Sequence, residues 1–168
     1  NDIIIEDVIN YYIKEDSFTY SIPKRVISVG EFGTILINQN DISSIIRNKY
    51  KKNLNSISIN TQYYWVVGDG GTILKIKKHN LDIESVEIYI DNELMKYNLK
   101  SISFLDDLNA IIIGDYNTIL ITENGGNTWF EIKIDEFDSY SYNSCLYLDI
   151  DNFYISGNNG IFLHFFRN

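Results

Sequence analysis

A phrase of about eight residues that occurs four times, roughly forty residues apart, predicts an all-β chain of β-propeller type. The copies are Val29-Gly30-Glu31-Phe32-Gly33-Thr34-Ile35-Leu36, Val67-Gly68-Asp69-Gly70-Gly71-Thr72-Ile73-Leu74, Ile113-Gly114-Asp115-Tyr116-Asn117-Thr118-Ile119-Leu120 and Ser156-Gly157-Asn158-Asn159-Gly160-Ile161-Phe162-Leu163. Two further observations agree. Runs rich in β-branched and aromatic residues precede each copy at 25–29, 63–67, 110–113 and 153–156, as a pleated, half-buried surface prefers. The third residue after each leading glycine is Gly33, Gly71, Asn117 or Gly160. Glycine and asparagine are the residues that most readily take a left-handed backbone, so this column marks a tight hairpin.

A repeat of about 42 residues matches one four-stranded blade, and 168 residues suit one domain. The expected blades are 17–50, 51–93, 97–135 and 143–168, the last joined by 2–7. In the first, Phe18-Thr19-Tyr20 reads as the innermost strand and 45–50 as a weak outer one. In the second, Leu54–Ile59 alternates with period two, as an innermost strand does, and 85–90 forms the outer strand. The third repeats this with Leu99–Phe104 and 129–134, and the fourth has its inner strand at 144–148. Ile3-Ile4-Ile5 lies 15 residues before Phe18, as Val86 does before Ser101 and Trp129 before Ser144. That spacing makes 2–7 an outer strand, expected to pair with 161–165 and close the ring, which removes a sheet edge; the rival reading is an open four-blade piece of a larger propeller.

Charge narrows the partners. A net charge of −9 repels phosphate backbones and anionic lipid, which argues against nucleic acid and membrane surfaces. No apolar run has the length of a membrane-spanning helix. Cys145 is the single cysteine, so no intrachain disulfide is expected, which leans towards a reducing compartment without deciding it. The first residues, Asn1-Asp2-Ile3-Ile4-Ile5-Glu6, lack a signal-peptide pattern and an initiator methionine, so the chain is expected to be processed or cut from something longer. Abundant Ile, Asn and Tyr fit an AT-rich genome, such as a low-GC bacterium or its phage.

Val67-Gly68-Asp69-Gly70-Gly71-Thr72-Ile73-Leu74-Lys75 resembles the repeats of the Ycf48 (photosystem II assembly factor) type of propeller. Thr122-Glu123-Asn124-Gly125-Gly126-Asn127-Thr128-Trp129 is similar to the related BNR or Asp-box pattern Ser/Thr-x-Asp-x-Gly-x-Thr-Trp, with Asn124 at the usual Asp. The resemblance implies a propeller fold and a structural box. In it Asn124 bonds the amides of its own turn, with Thr122 and Gly126 completing the motif, and Trp129 packs between blades.

Sialidases share such propellers, so a glycosidase is the third functional reading. Their substrate carboxylate needs three convergent arginines. Here Arg25, Arg47 and Arg167 are the only ones, and they are scattered along the chain. No catalytic set, cofactor or metal site is expected. His79 and His164 are too few for a metal cluster, and Asp106-Asp107 and Asp149-x-Asp151 suit turns better than calcium loops. Cys145 reads as a small core hydrophobe.

One constellation remains. The residues after the leading glycines, Glu31, Asp69, Asp115 and Asn158, are expected on one face, with Phe32 and Tyr116 beside them. The simpler reading is that acids suit tight turns. The functional reading is an acidic, aromatic rim that binds another protein with a basic surface, since aromatics dominate interface energetics. The chain is thus expected to be a non-catalytic scaffold, part of a larger assembly such as a phage or secreted structural protein. Glycan recognition through stacking tyrosines is the alternative.

Overall fold

The computed structural model describes residues 2–12, 19–40, 42–46, 49–134 and 140–166. They form four antiparallel meanders in chain order. The first contains β1 (Asp2–Tyr12), β2 (Thr19–Val29), β3 (Ile35–Gln39) and β4 (Ile42–Ile45). The second contains β5 (Leu54–Ile59), β6 (Tyr63–Gly68), β7 (Thr72–Lys77) and β8 (Ile83–Ser85). A short hairpin, β9 (Tyr89–Ile90) with β10 (Glu93–Leu94), precedes the third sheet. That sheet holds β11 (Leu99–Phe104), β12 (Ala110–Gly114), β13 (Ile119–Thr122) and β14 (Phe130–Glu131). The fourth holds β15 (Tyr142–Asp149), β16 (Asn152–Gly157) and β17 (Phe162–Phe166).

The sheets stack face to face, which explains their composition. One core cluster joins Ile27, Val29, Ile35 and Ile37 of the first sheet to Leu54, Ile57, Tyr64, Val66, Leu74 and Ile76 of the second. Trp65, Val67 and Ile73 turn the other way and meet Leu99, Ile102, Ile112 and Leu120 of the third. Ile111, Ile113 and Ile119 then meet Tyr142, Tyr147 and Ile155 of the fourth. A strand covered on both faces must be apolar throughout rather than alternating. Tyr64-Trp65-Val66-Val67 and Ala110-Ile111-Ile112-Ile113 are accordingly completely buried.

The innermost strands are tied together by hydroxyls. Ser56 Oγ accepts the Ile102 N–H (3.4 Å), Ser58 Oγ that of Phe104 (2.9 Å), Ser101 Oγ that of Cys145 (3.3 Å) and Ser103 Oγ that of Tyr147 (3.1 Å). Asp2 occupies the same place in the first sheet, and its carboxylate accepts the Ile57 N–H (3.2 Å) and the Ser56 hydroxyl (2.9 Å). The period-two serines of β5 and β11 therefore face the next sheet rather than solvent, where each accepts an amide hydrogen that would otherwise be stranded.

The N-terminal expectation is corrected. Residues 3–6 pair with β2, in the register Ile3↔Ser28, Ile4↔Ile27, Ile5↔Val26 and Glu6↔Arg25. They are the innermost strand of the first sheet and not an outer strand laid on 161–165, of which 162–165 pair with β16. Fifteen-residue spacing fits either role. The local hairpin wins because it joins neighbours in sequence and seats Ile4 on the first core. Thr19 and Tyr20 consequently fall in the second strand, while Phe18 lies outside the described residues. The outer strands also begin earlier than expected in two sheets, at Ile42 and Ile83.

Candidate functional site

The four repeated phrases fold into four equivalent tips. The leading glycine is imposed by a close approach: a Cβ at Gly68 would overlap the Asn53 carbonyl oxygen, and one at Gly114 that of Asn98. After it the chain turns through two successive left-handed residues. These are Phe32 and Gly33 (φ 54 and 73), Gly70 and Gly71 (59 and 71), Tyr116 and Asn117 (54 and 57), and Asn159 and Gly160 (57 and 75). The predicted positive-φ column is therefore present in all four sheets, and the residue before it shares the conformation. Amides of Thr34, Thr118 and Ile161 close the turns onto Glu31, Asp115 and Asn158 carbonyls.

Two of the acids after the leading glycines, Asp69 and Asp115, are clasps. Asp69 accepts from Asn53 Nδ2 (3.0 Å) and Asn55 Nδ2 (2.9 Å). Asp115 pairs with Lys100 (2.7 Å) and accepts from Asn98 Nδ2 (3.1 Å). Burial pushes the Asp115 carboxyl up, but hydrogen bonds from Lys100, Ser141 and Asn98 outweigh it and hold the group below its ordinary value. Asn158 Oδ1 accepts from Asn143 Nδ2 (2.7 Å), and Glu31 is exposed. Asn53 and Asn98, which the sequence reading passed over, each reach across sheets. Their Oδ1 atoms accept the tip amides of Phe32 (3.2 Å) and Gly70 (2.9 Å) in the preceding sheet. The tip face is thus a hydrogen-bonded surface whose negative charge is partly offset at Asp115.

Phe32 and Tyr116 stand out from it, 75% and 69% exposed. Tyr116 lies against Tyr97, ring centroids 4.9 Å apart. The pair lines a cleft of about 480 Å³ shared with Asp91, Glu93, Glu131 and Lys133. The β9–β10 hairpin that walls this cleft has no counterpart among the described residues of the other repeats, and only its Asp91-Asn92 turn, with φ 49 and 67, could have signalled it.

The Asp-box residues form a closed turn. Thr122 Oγ1 accepts the amides of Gly126 (3.0 Å) and Asn124 (3.3 Å), and Asn124 Oδ1 accepts that of Thr128 (2.9 Å). Trp129 is half-buried and meets Trp65 of the second sheet edge-on at 6.2 Å. A Cβ at Gly126 would overlap that same Trp65 ring. The turn is a latch between sheets.

Among the arginines, Arg47 and Arg167 lie outside the described residues. Arg25 donates to the Tyr64 hydroxyl (3.2 Å) and the Lys78 carbonyl (3.2 Å). Tyr64 in turn hydrogen-bonds Glu6, which is paired with Lys78 (2.7 Å). Burial and the Glu6 carboxylate push the Tyr64 hydroxyl up to about 12. Arg25, Glu6 and Lys78 remain partly exposed, but Tyr64 itself is buried between the first two sheets, and a buried, protonated tyrosine does not serve as a nucleophile on an external sugar. Asp106 accepts the amides of Leu108 (2.8 Å) and Asn109 (2.7 Å), and Asp149 that of Asp151 (3.0 Å), as turn residues do. Among the described residues no three His, Cys, Asp or Glu side chains gather as a metal site. Burial pushes the Cys145 thiol up to about 12, which suits an inert core position.

No family model and no curated protein matches the sequence. Solved structures do. A structure of YCF48 bound to D1 peptide has a TM-score of 0.64 at 21% identity, over 71% of this chain and 39% of that one. YCF48 from Cyanidioschyzon merolae has a TM-score of 0.63 at 15% identity, over 95% of this chain and 50% of that one. The chain spans half or less of the length of these structures, and it has the YCF48-like, propeller-type fold that its repeated phrases resemble.

Proposed function

We propose that the chain is a non-catalytic, protein-binding propeller unit of four blades within residues 1–168, and that its partner docks on the tip face. The observation that carries this reading is the conformation of Phe32 and Tyr116. Both are bulky, exposed and left-handed, where the equivalent positions hold Gly70 and Asn159. A left-handed backbone costs a residue with a Cβ about 1–2 kcal/mol, and both side chains stay mostly exposed, Tyr116 touching only the Tyr97 ring among the contacts described. Strain kept at an exposed aromatic points to binding. The likeness to a propeller that has been seen with a peptide supports a protein partner. Glu31, Asp69 and Asp115 give the face an acidic cast that favours a basic partner surface, and Asn158 completes the rim in the fourth blade. We place the chain in a larger structural assembly, of phage or secreted type, on composition alone.

The test is quantitative capture from the source extract by the wild-type chain, with the bound protein identified by mass. Phe32→Ala and Tyr116→Ala should each reduce its recovery at least about tenfold through faster dissociation, and added salt should slow association. Wild-type recovery by both variants would overturn the reading. A second reading, glycan binding, draws on the Tyr97–Tyr116 pair over the acidic cleft. It predicts signal on a glycan array that is lost in Tyr97→Ala while Phe32→Ala retains it.

A further inference from the structure

Lys75 is a half-buried cation placed without a counter-ion. On β7 it lies directly opposite Glu84 of β8, the cross-strand place at which opposite charges pair. Glu84 is instead bonded by Lys77 (2.7 Å). The Lys75 ammonium lies over the rings of Tyr63 and Trp65, 4.0 and 5.1 Å from their centroids. Ring faces attract its charge but leave its three strong N–H donors largely unspent. Among the described residues of a chain with net charge −9, it makes neither an ion pair nor a side-chain hydrogen bond.

Lys75 lines a cleft of about 300 Å³ at the strand ends remote from the tips. The β5–β6 turn supplies Asn60, Gln62 and Tyr63, the β11–β12 turn Asp107, and the Asp-box turn Asn127. All belong to the second and third sheets, each of which is packed on both faces. Two carboxamides there have donors to spare. Asn60 Oδ1 accepts the amides of Gln62 (3.2 Å) and Tyr63 (2.9 Å), which fixes the side chain and leaves Nδ2 unbonded among the described residues. The Gln62 side chain is exposed and likewise unbonded among them.

This donor set narrows the ligand. One ammonium and two carboxamides match a singly charged acceptor. Asp107 accepts the Thr61 amide (2.7 Å), and that bond holds its carboxyl below the ordinary value, so a negative charge stands at the rim. A doubly charged phosphate is repelled there more than a single carboxylate is. Tyr63, the aromatic that lines the cleft, has a ring face covered by the Lys75 ammonium, which removes the platform on which a sugar stacks. We propose that the cleft binds one carboxylate group, with Lys75 Nζ, Asn60 Nδ2 and Gln62 Nε2 as its donors. The site is separate from the tips and stands whether or not a partner docks on them.

Nitrogen-15 NMR titration of the full chain tests it, at about 0.15 M salt, where diffuse attraction between exposed charges is screened. The probes are propionate, the peptide acetyl-Gly-Glu-Gly-amide and its Gln twin. The Glu peptide should shift the Asn60 and Gln62 side-chain amides saturably, with a dissociation constant of about 1–10 mM, and the Gln twin should bind at least about tenfold more weakly. Lys75→Met keeps an apolar stem on the two rings and should weaken the Glu peptide at least about tenfold. Gln62→Ala, at an exposed site where folding is not at stake, should weaken it at least about threefold. Lys77→Met removes the same charge from a residue already paired with Glu84, and should change binding less than about twofold. A Glu peptide about ten times tighter than propionate supports the site and assigns the carboxylate to a protein partner, whereas equal binding supports it and assigns the carboxylate to a free organic acid. Equal binding of the two peptides, equal weakening by Lys75→Met and Lys77→Met, or no saturable shift would overturn the proposal.

Discussion

The tips of the first and third sheets share one backbone with those of the second and fourth and differ in what stands on it. All four turn through two left-handed residues closed by the same hydrogen bonds. The second and fourth carry Gly70 and Asn159 at the apex, residues that accept this conformation readily. The first and third carry Phe32 and Tyr116, which do not. The turn itself is thus independent of the apex side chain, and the aromatics are an addition to a finished structure. What a repeat keeps in every copy maintains the fold, and what it varies at an exposed apex is available for recognition.

Substitutions can break this comparison at several depths. The largest effect is expected in the shared framework. Trp65→Ala removes the ring on which Gly126 and Trp129 rest, and should cost about 3–5 kcal/mol in denaturant unfolding. Trp129→Ala, half-buried, should cost less, about 3 kcal/mol. Two glycines at equivalent places then separate conformation from crowding. Gly71→Val meets both a φ of 71 and the Met95 carbonyl oxygen, whereas Gly160→Val meets a φ of 75 in open space. The former should destabilise by about 3 kcal/mol or more and the latter by about 1–2 kcal/mol. Equal losses would mean that the two tips are not set against their neighbours as described.

Smaller effects test the apex residues and the clasp. Phe32→Asn should raise stability by about 0.5–1 kcal/mol, since it relieves left-handed strain at an exposed site. A loss would show that Phe32 supports the fold. Asp115 responds to pH. Its folded carboxyl titrates below the ordinary value of about 3.9, so its contribution is full above that value and is lost as pH falls through the folded one. Below about pH 4 the wild-type chain should therefore lose stability more steeply than Asp115→Asn. Parallel curves would remove the Lys100 and Asn98 clasp from the account.

The repeats were legible because their signal is physical at every copy. Gly or Asn at 33, 71, 117 and 160 reports a backbone that few other residues accept, so a single sequence sufficed. The N-terminal strand was not, because residues 3–6 satisfy the spacing of an outer strand as well as that of an inner one. Only the pairing with Arg25–Ser28 distinguishes them. Ser56, Ser58, Ser101 and Ser103 were read as alternation and not as bonds, since a hydroxyl facing solvent and one facing a neighbouring amide look alike in sequence. Asn53 and Asn98 escaped notice for a related reason: the amides that their Oδ1 atoms accept lie in the preceding sheet. At the candidate site, the positions of Phe32 and Tyr116 at tip apices could be read. Their left-handed backbone and the cleft beside Tyr97 could not.

The most direct test of the tip-face account is site-specific photo-crosslinking in the source extract. A photoreactive phenylalanine at position 32 or 116 should capture one and the same protein, and the same group at Leu108, on the connecting loop between β11 and β12, should not. Capture of that protein from position 108 alone, or from neither tip, would contradict binding at the tips.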